Sequence, residues 1–264
     1  KNKFDVIFSL ATMHHLPGEK NHLKFLQEIN KVLKPGGKAI IIDVVFCNTY
    51  QNLVNLARVG AWMIAIVDYG MGNLCSVQKA MEHLGAETVI TDSPDIISRA
   101  DEIVLPGVGA FGDAMRELGS RGLVEPLRRA VASQKPFLGI CLGMQVLFDR
   151  SEESPGIGGL SILPGEVKRF VTGLKVPHMG WNQICIRRQT PIFRGVEDGA
   201  YFYFVHSYYA VPDCAEDVAT TTDYAVEFAS AICRGNLFGT QFHPEKSQSV
   251  GLKILKNFID LEER

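Results

Sequence analysis

The order of apolar and polar positions divides the chain into two unequal pieces. In the first, Phe4-Asp-Val-Ile-Phe-Ser9 alternates as a short strand does. Phe25, Leu26, Ile29, Val32 and Leu33 then fall on one helical stripe, and Pro35-Gly36-Gly37 is expected to stop that helix. The apolar run from Lys38 to Phe46 reads as a buried strand, and Asn52 to Trp62 is weakly helical. At Met63 the pattern restarts with Met63-Ile-Ala-Ile-Val-Asp68, a second buried strand, and Met63 could be a natural start. The expected domains are therefore residues 1–62 and 63–264.

The second piece alternates strand and helix at first. A glycine loop, Tyr69-Gly-Met-Gly-Asn73, leads into a helix with Leu74, Val77, Met81 and Leu84 on one face, closed by Gly85. Strands are expected at Glu87–Thr91, Ile103–Gly107 and Phe137–Ile140, and a helix at Leu123–Ser133. From Glu166 to Gly239 strand signals dominate, with single runs at Ala200–Ala210, Ala225–Cys233 and Asn236–Gln241. A terminal helix should cover Ser247–Leu261. Alternating strands and helices predict an α/β fold, with a central, mostly parallel sheet covered by helices on both faces.

Composition narrows the function classes. The chain has 264 residues, 46% hydrophobic and 21% charged, as an ordinary globular protein does. A net charge of −2 gives no footprint for a nucleic-acid partner. No apolar run approaches the ~20 residues of a membrane helix, and no secretory leader is visible, so a cytoplasmic location is expected. The missing Met at position 1 suggests a start inside a longer reading frame. The six cysteines show no Cys-x-x-Cys spacing; reduced thiols are expected, five of them buried or half-buried, and no metal site or cofactor.

The sixth, Cys141, is different. Gly139-Ile-Cys-Leu-Gly143 is a Gly-x-nucleophile-x-Gly turn between an apolar strand and an expected amphipathic helix carrying Met144, Val146 and Leu147. Flanking glycines permit a sharp turn that thrusts the thiol out over a helix N-terminus, where the dipole favours thiolate. The Leu142 N–H can then donate to an oxyanion. Gln241-Phe-His-Pro-Glu245 follows the last strand and supplies a base. His243 and Glu245, two apart, can share a face, so that Glu245 orients one imidazole nitrogen and leaves the other for the thiol. The elbow alone favours a nucleophile over a structural cysteine, whereas His243 alone reads as a structural histidine and Glu245 alone as a solvated carboxylate; their joint occurrence with the elbow points to Cys-His-Glu nucleophilic catalysis. Pro106-Gly-Val-Gly-Ala-Phe-Gly112 is a glycine-rich turn that can bring a second oxyanion donor close.

These segments carry a resemblance. Residues 63–264 resemble the class I (triad-type) glutamine amidotransferases, through the elbow and His-Pro-Glu. More narrowly they are similar to the glutaminase subunits of imidazole glycerol phosphate synthase. The narrower likeness rests on Asp68-Tyr-Gly-Met-Gly-Asn73 and Pro177-His-Met-Gly-Trp-Asn182, within a match that also includes Phe204-Val-His-Ser-Tyr208. The resemblance implies a flavodoxin-like amidotransferase fold and a glutamine-hydrolysing triad of Cys141, His243 and Glu245. It implies oxyanion and substrate contacts from Val108, Gly109, Leu142, Gln145, Ser207 and Tyr208. It also implies a heterodimer with a (β/α)8-barrel cyclase subunit that takes the ammonia in histidine biosynthesis. Asn73, Met179, Trp181, Asn182 and Lys246 would lie at that interface.

Residues 1–46 resemble the C-terminal half of class I S-adenosylmethionine-dependent methyltransferases. The likeness lies in Phe4-Asp-Val-Ile-Phe-Ser-Leu-Ala-Thr-Met-His-His-Leu16 and Ile29-Asn-Lys-Val-Leu-Lys-Pro-Gly-Gly37. The glycine-rich turn and the acidic residue that bind the cofactor in that family have no counterpart here, so no methyltransferase activity is expected. His14 and His15 are then solvated loop residues. The competing readings of the larger piece are a glutaminase feeding another acceptor, such as pyridoxal phosphate synthesis, and a non-catalytic subunit that keeps the fold.

Overall fold

The computed structural model describes residues 4–10, 33–42 and 62–262. The expected helix over Phe25–Leu33, the weak helix before Trp62, and His14 and His15 lie outside them, Leu33 and Trp62 excepted. By its contacts the chain separates into two units, Lys1–Ala61 and Trp62–Arg264. In the first, β1 (Phe4–Leu10) pairs in parallel with β2 (Leu33–Ile42). The strand expected to begin at Lys38 starts earlier. Its register jumps between Phe4↔Leu33 and Val6↔Lys38, so Pro35-Gly36-Gly37 sits in an irregularity of the ladder, where a residue without an N–H is tolerated.

The second unit is built on an eight-stranded sheet. Its strands are β3 (Ile64–Val67), β4 (Thr88–Thr91), β5 (Glu102–Gly107), β6 (Phe137–Cys141), β10 (Cys185–Ile186), β13 (Val218–Asp223), β14 (Glu227–Arg234) and β15 (Leu237–Thr240). They lie in the order β10-β13-β14-β15-β6-β5-β3-β4. From β15 to β4 the neighbours run parallel; from β10 to β15 they run antiparallel. The period-2 pattern explains how both faces are buried. On β3, Ala65 and Val67 join one core, and Ile64 and Ile66 join the other. The first core is covered by α2 (Pro94–Arg99), α3 (Phe111–Ser120) and α4 (Val124–Ala132), through Ile97, Phe111, Leu118 and Leu127. The second is covered by α1 (Leu74–His83) and α6 (Gln248–Ile259), through Val77, Met81, Ile254 and Phe258.

Several readings change in detail. Neither α2 nor α3 is announced by a long apolar period; α2 is six residues with Ser93 as its N-cap, bonding Ile96 N through its side chain. The single strand expected over Ala200–Ala210 is two, β11 (Tyr201–His206) and β12 (Tyr208–Pro212), in different sheets. β11 pairs with β9 (His178–Gln183), and β12 with β8 (Gly165–Arg169), which in turn pairs with β7 (Arg150–Ser151). The break falls at Ser207. Among the cysteines, Cys75 is exposed rather than buried, on the outer side of α1.

Candidate active site

The site gathers at the carboxyl ends of three adjacent parallel strands, where ligands of open α/β sheets bind. β6 ends in Cys141, β5 runs into Val108 and Gly109, and β15 leads to His243. Cys141 has φ 55° and ψ −109°, a backbone region that L-residues seldom occupy. Packing imposes that turn. A Cβ on Gly143 would stand 1.7 Å from the carbonyl oxygen of Leu105, and one on Gly139 would stand 2.7 Å from the carbonyl oxygen of Gly143. The helix that follows, α5 (Leu142–Gln145), is a single turn, and Met144, Val146 and Leu147 are all buried. The amphipathic helix expected here is therefore corrected: the segment is enclosed by both neighbouring strands and has no solvent face. A single turn also has little macrodipole, so its free N–H groups, Leu142 first, are what it offers a charged reactant.

His243 and Glu245 do not sit on a strand face as expected. β15 ends at Thr240, and the two residues flank Pro244 at the start of a 3-10 turn, Pro244–Lys246. That turn folds the carboxylate back, so that His243 Nδ1 donates to Glu245 Oε1 at 2.8 Å. Both side chains are almost wholly enclosed, at 3% and 1% exposure. His243 Nε2 is left buried with no hydrogen bond of good geometry. Burial by itself opposes a charged ring here. The neighbouring Cys141 sulfur and Glu245 carboxylate outweigh it and push His243 up to about 9.

In front of Cys141 lies a cavity of about 270 Å³ lined by Val108, Gly109, Cys141, Leu142, Gln145, Glu153, Pro177, Val205, His206, Ser207 and Tyr208. Every oxyanion and substrate residue named from the sequence is on that wall. Gln145 is buried, and its Nε2 donates to Tyr208 O and to Gln241 Oε1, both at 2.9 Å. Gln241 in turn points its Nε2 at Cys141 Sγ, 3.6 Å away.

Five residues at the site went unassigned in the sequence. Glu153, Pro177, Val205 and His206 line the cavity, and Gln241 lies against the Cys141 sulfur. Gln241 had a signal, since it stands two residues before His243 at the strand end. Glu153 had none: it reaches the site because Ser151–Ser154 folds against the start of α3, where Glu153 Oε2 accepts from Phe111 N at 2.7 Å.

None of the residues expected at an interface lines the cavity. On β9, Met179 and Trp181 are 60% and 46% exposed, while Asn182 between its neighbours is half-buried. Asn73 and Lys246 are exposed at the start of α1 and in the Pro244–Lys246 turn, which touch each other; β11 also touches that turn. Among the described residues, no group of three or more His, Cys, Asp or Glu could hold a metal ion. No helix among them is long and apolar enough to cross a membrane.

Comparison with known proteins agrees with this geometry. The family model described as glutamine amidotransferase class-I matches residues 65–261, and that of a methyltransferase domain matches residues 1–41. The imidazole glycerol phosphate synthase subunit HisH of Moorella thermoacetica is 57% identical over 198 residues, which are 75% of this chain and 94% of that protein. The subunit of the same name from Syntrophotalea carbinolica is 56% identical over 206 residues, covering 75% of this chain and 100% of that protein. A solved structure of PurLQS from Thermotoga maritima shares the fold, with a TM-score of 0.60 at 20% identity over 75% of this chain and 97% of that one. With the family model spanning the whole sheet, and an elbow cysteine beside a histidine–glutamate pair at its centre, the chain belongs to the class I glutamine amidotransferase family.

Proposed function

We propose that this chain hydrolyses glutamine to glutamate and ammonia, and passes the ammonia to a cyclase subunit in imidazole glycerol phosphate synthesis. The observation that carries the chemistry is the strained Cys141, which lines the cavity, with the buried His243–Glu245 pair beside its sulfur. The carrier of the pathway is the high identity to subunits named HisH over nearly their full length.

The reaction follows from the geometry. Glu245 holds the Nδ1–H of His243, which leaves Nε2 for the Cys141 proton. The sulfur attacks the carboxamide carbon of glutamine. Backbone N–H groups of Leu142 and Val108 serve the oxyanion that forms, the first because the opening N–H groups of α5 lack helical acceptors. His243 returns the proton to the leaving nitrogen, and ammonia departs from a thioester on Cys141. Water, deprotonated by the same imidazole, attacks the thioester and frees glutamate. A cavity at the small end of the range for ligands suits one amino acid. Glu153 offers a carboxylate to its ammonium group. Gln145 has spent its N–H donors on Tyr208 and Gln241, so its carbonyl oxygen remains to accept from the same group. Backbone near Ser207 and Tyr208 faces the carboxylate end.

The partner of this reading is a (β/α)8-barrel cyclase, docked as a heterodimer against the side where Asn73, Met179, Trp181, Asn182 and Lys246 lie. Exposed Met and Trp on a short strand are an apolar anchor of the kind interfaces use. The test is glutamate release from glutamine, by the chain alone and with the cyclase subunit plus its nucleotide ligand. Strong stimulation by the occupied cyclase is expected. Release without stimulation would overturn the partner and keep the glutaminase; no release in either case would overturn the chemistry.

A further inference from the structure

A histidine in the wall of a catalytic cavity invites a role in proton transfer, and His206 is such a residue. Its hydrogen bonds rule that out and assign it another task. His206 Nδ1 lies 2.9 Å from the carbonyl oxygen of Tyr208. A carbonyl only accepts, so Nδ1 carries the proton. The other nitrogen, Nε2, lies 3.0 Å from His178 Nδ1. In a neutral His206 that Nε2 is an acceptor, so His178 Nδ1 must be the donor. The Nε2 of a neutral His178 accepts in turn, from Asn182 Nδ2 at 3.3 Å. Asn182 is itself oriented from both ends: its Nδ2 also donates to Asp223 O, and its Oδ1 accepts from Gln183 N. One direction of donation thus runs from Asn182 through both rings to Tyr208 O. A proton added to either ring would set two donors face to face.

Burial agrees with neutrality. It pulls His178 down to about 4. It pulls His206 down to about 3, where the bond to Tyr208 works the other way and the nearby His178 and His243 push further down. Packing fixes the ring planes. His178 is stacked between Tyr224 and Phe204, with centroids at 4.0 and 5.0 Å, and His206 lies against Phe228 at 5.2 Å. The two histidines are also directly paired across the β9–β11 ladder.

The receiving carbonyl matters because of what else it holds. Tyr208 O accepts from Gln145 as well, and Gln145 continues through Gln241 to the Cys141 sulfur. Ser207 O, at the break between β11 and β12, accepts from Phe170 N at 3.1 Å. We propose that His178 and His206 are positioning residues: as a neutral, direction-locked pair they hold the Ser207–Tyr208 wall at the distance from Cys141 that glutamine requires. The proposal rests on the glutaminase reading above. It makes His206 a spacer rather than a base, and it ties the wall to Asn182 on the strand that exposes Met179 and Trp181.

The test uses the full chain with 15N-labelled histidine. Long-range 15N–1H correlation should show His178 and His206 as neutral Nδ1–H tautomers across neutral pH, assigned by their loss in His178→Asn and His206→Asn. A charged ring, or an Nε2–H tautomer at either position, would overturn the proposal. In steady-state kinetics, His178→Leu should raise KM for glutamine about ten-fold while kcat stays within about two-fold. His178→Asn places an amide N–H where Nδ1 was and should recover most of that loss. Alkylation of Cys141 by iodoacetamide, which needs no glutamine wall, should proceed alike in all three proteins. Equal KM in the Leu and Asn variants, or a loss confined to kcat, would overturn the proposal. Should His178→Leu fail to fold, the wild-type tautomers and the His178→Asn kinetics decide. A wild-type chain without glutamine turnover would instead count against the glutaminase reading, an outcome distinct from wild-type turnover with unaffected variants.

Discussion

On the Cys141 side of the cavity the site comes from one short stretch of chain. β6, the turn at Cys141 and α5 follow one another directly, and glycines at 139 and 143 let strands and turn close to within contact. On the opposite side, Pro177, Val205, His206, Ser207 and Tyr208 come from β11, β12 and the approach to β9, and Glu153 from another loop. The first wall is held by backbone sterics. The second is held by a chain of side-chain hydrogen bonds through Asn182, His178, His206, Gln145 and Gln241, joined at the Tyr208 carbonyl. Such a division makes sense for an enzyme of this kind. A covalent nucleophile must stay at one place through two half-reactions, and a rigid, strained turn supplies that. The wall that receives substrate reaches toward the exposed strand β9, where a partner could act on it.

That contrast can be broken at three points, from the largest effect to the smallest. Replacing Cys141 by Ala should lower glutamine turnover by on the order of 10⁴-fold or more, to background, with the fold retained. The assay is glutamate release beside thermal unfolding. Turnover near wild type would remove the elbow from the chemistry. Gly143→Ala attacks the sterics instead. Its Cβ would stand 1.7 Å from the Leu105 carbonyl, so α5 and β5 must separate, at a loss of about 3 kcal/mol or more. Calorimetry should show Tm lower by about 10 °C. An unperturbed Tm would mean that the elbow is softer than its packing implies.

Glu245→Gln probes the networked side. Turnover should fall by on the order of 10²-fold with the fold intact, because Nδ1 keeps an acceptor but loses a charge that favours the imidazolium. It also carries a pH signature. The folded chain holds His243 at about 9, above the ordinary 6.5, so the Cys141 and Glu245 interactions stabilise the fold fully below pH 6.5. That contribution is lost as pH rises through about 9. The stability gap between wild type and Glu245→Gln, read from denaturant titrations, should therefore be widest in mild acid and close in alkali. A gap that widened with pH would reverse the sign of the His243 shift.

How much of this was legible in the chain differs between the two walls for the same reason. Gly139-Ile-Cys-Leu-Gly143 encodes its own geometry, because a sharp turn between two enclosed segments needs small residues at fixed offsets. Even there the expected amphipathic helix proved to be one buried turn. Hydrophobic periodicity reports which positions are apolar, not how many elements enclose them. The pair His243–Glu245 was legible as a pair, but not as a 3-10 turn, since Pro244 alone decides that the strand has ended. The run Ala200–Ala210 read as one strand because both halves alternate; the break at Ser207 depends on β9 and β8 drawing those halves into separate sheets.

The α/β class, the sharp strand-to-helix turn at Cys141 and the adjacency of His243 and Glu245 follow from residue patterns, and the residues named for the cavity wall from the family resemblance. The patterns are short-range, where backbone stereochemistry ties residue type to position. Tertiary structure alone decided that Glu153 enters the cavity, that Gln241 bridges Gln145 to the sulfur, and that His178 and His206 form one directed pair. Nothing in a one-dimensional pattern says which buried polar side chain meets which. That choice is made only when strands distant in sequence come together and each buried donor must find its acceptor.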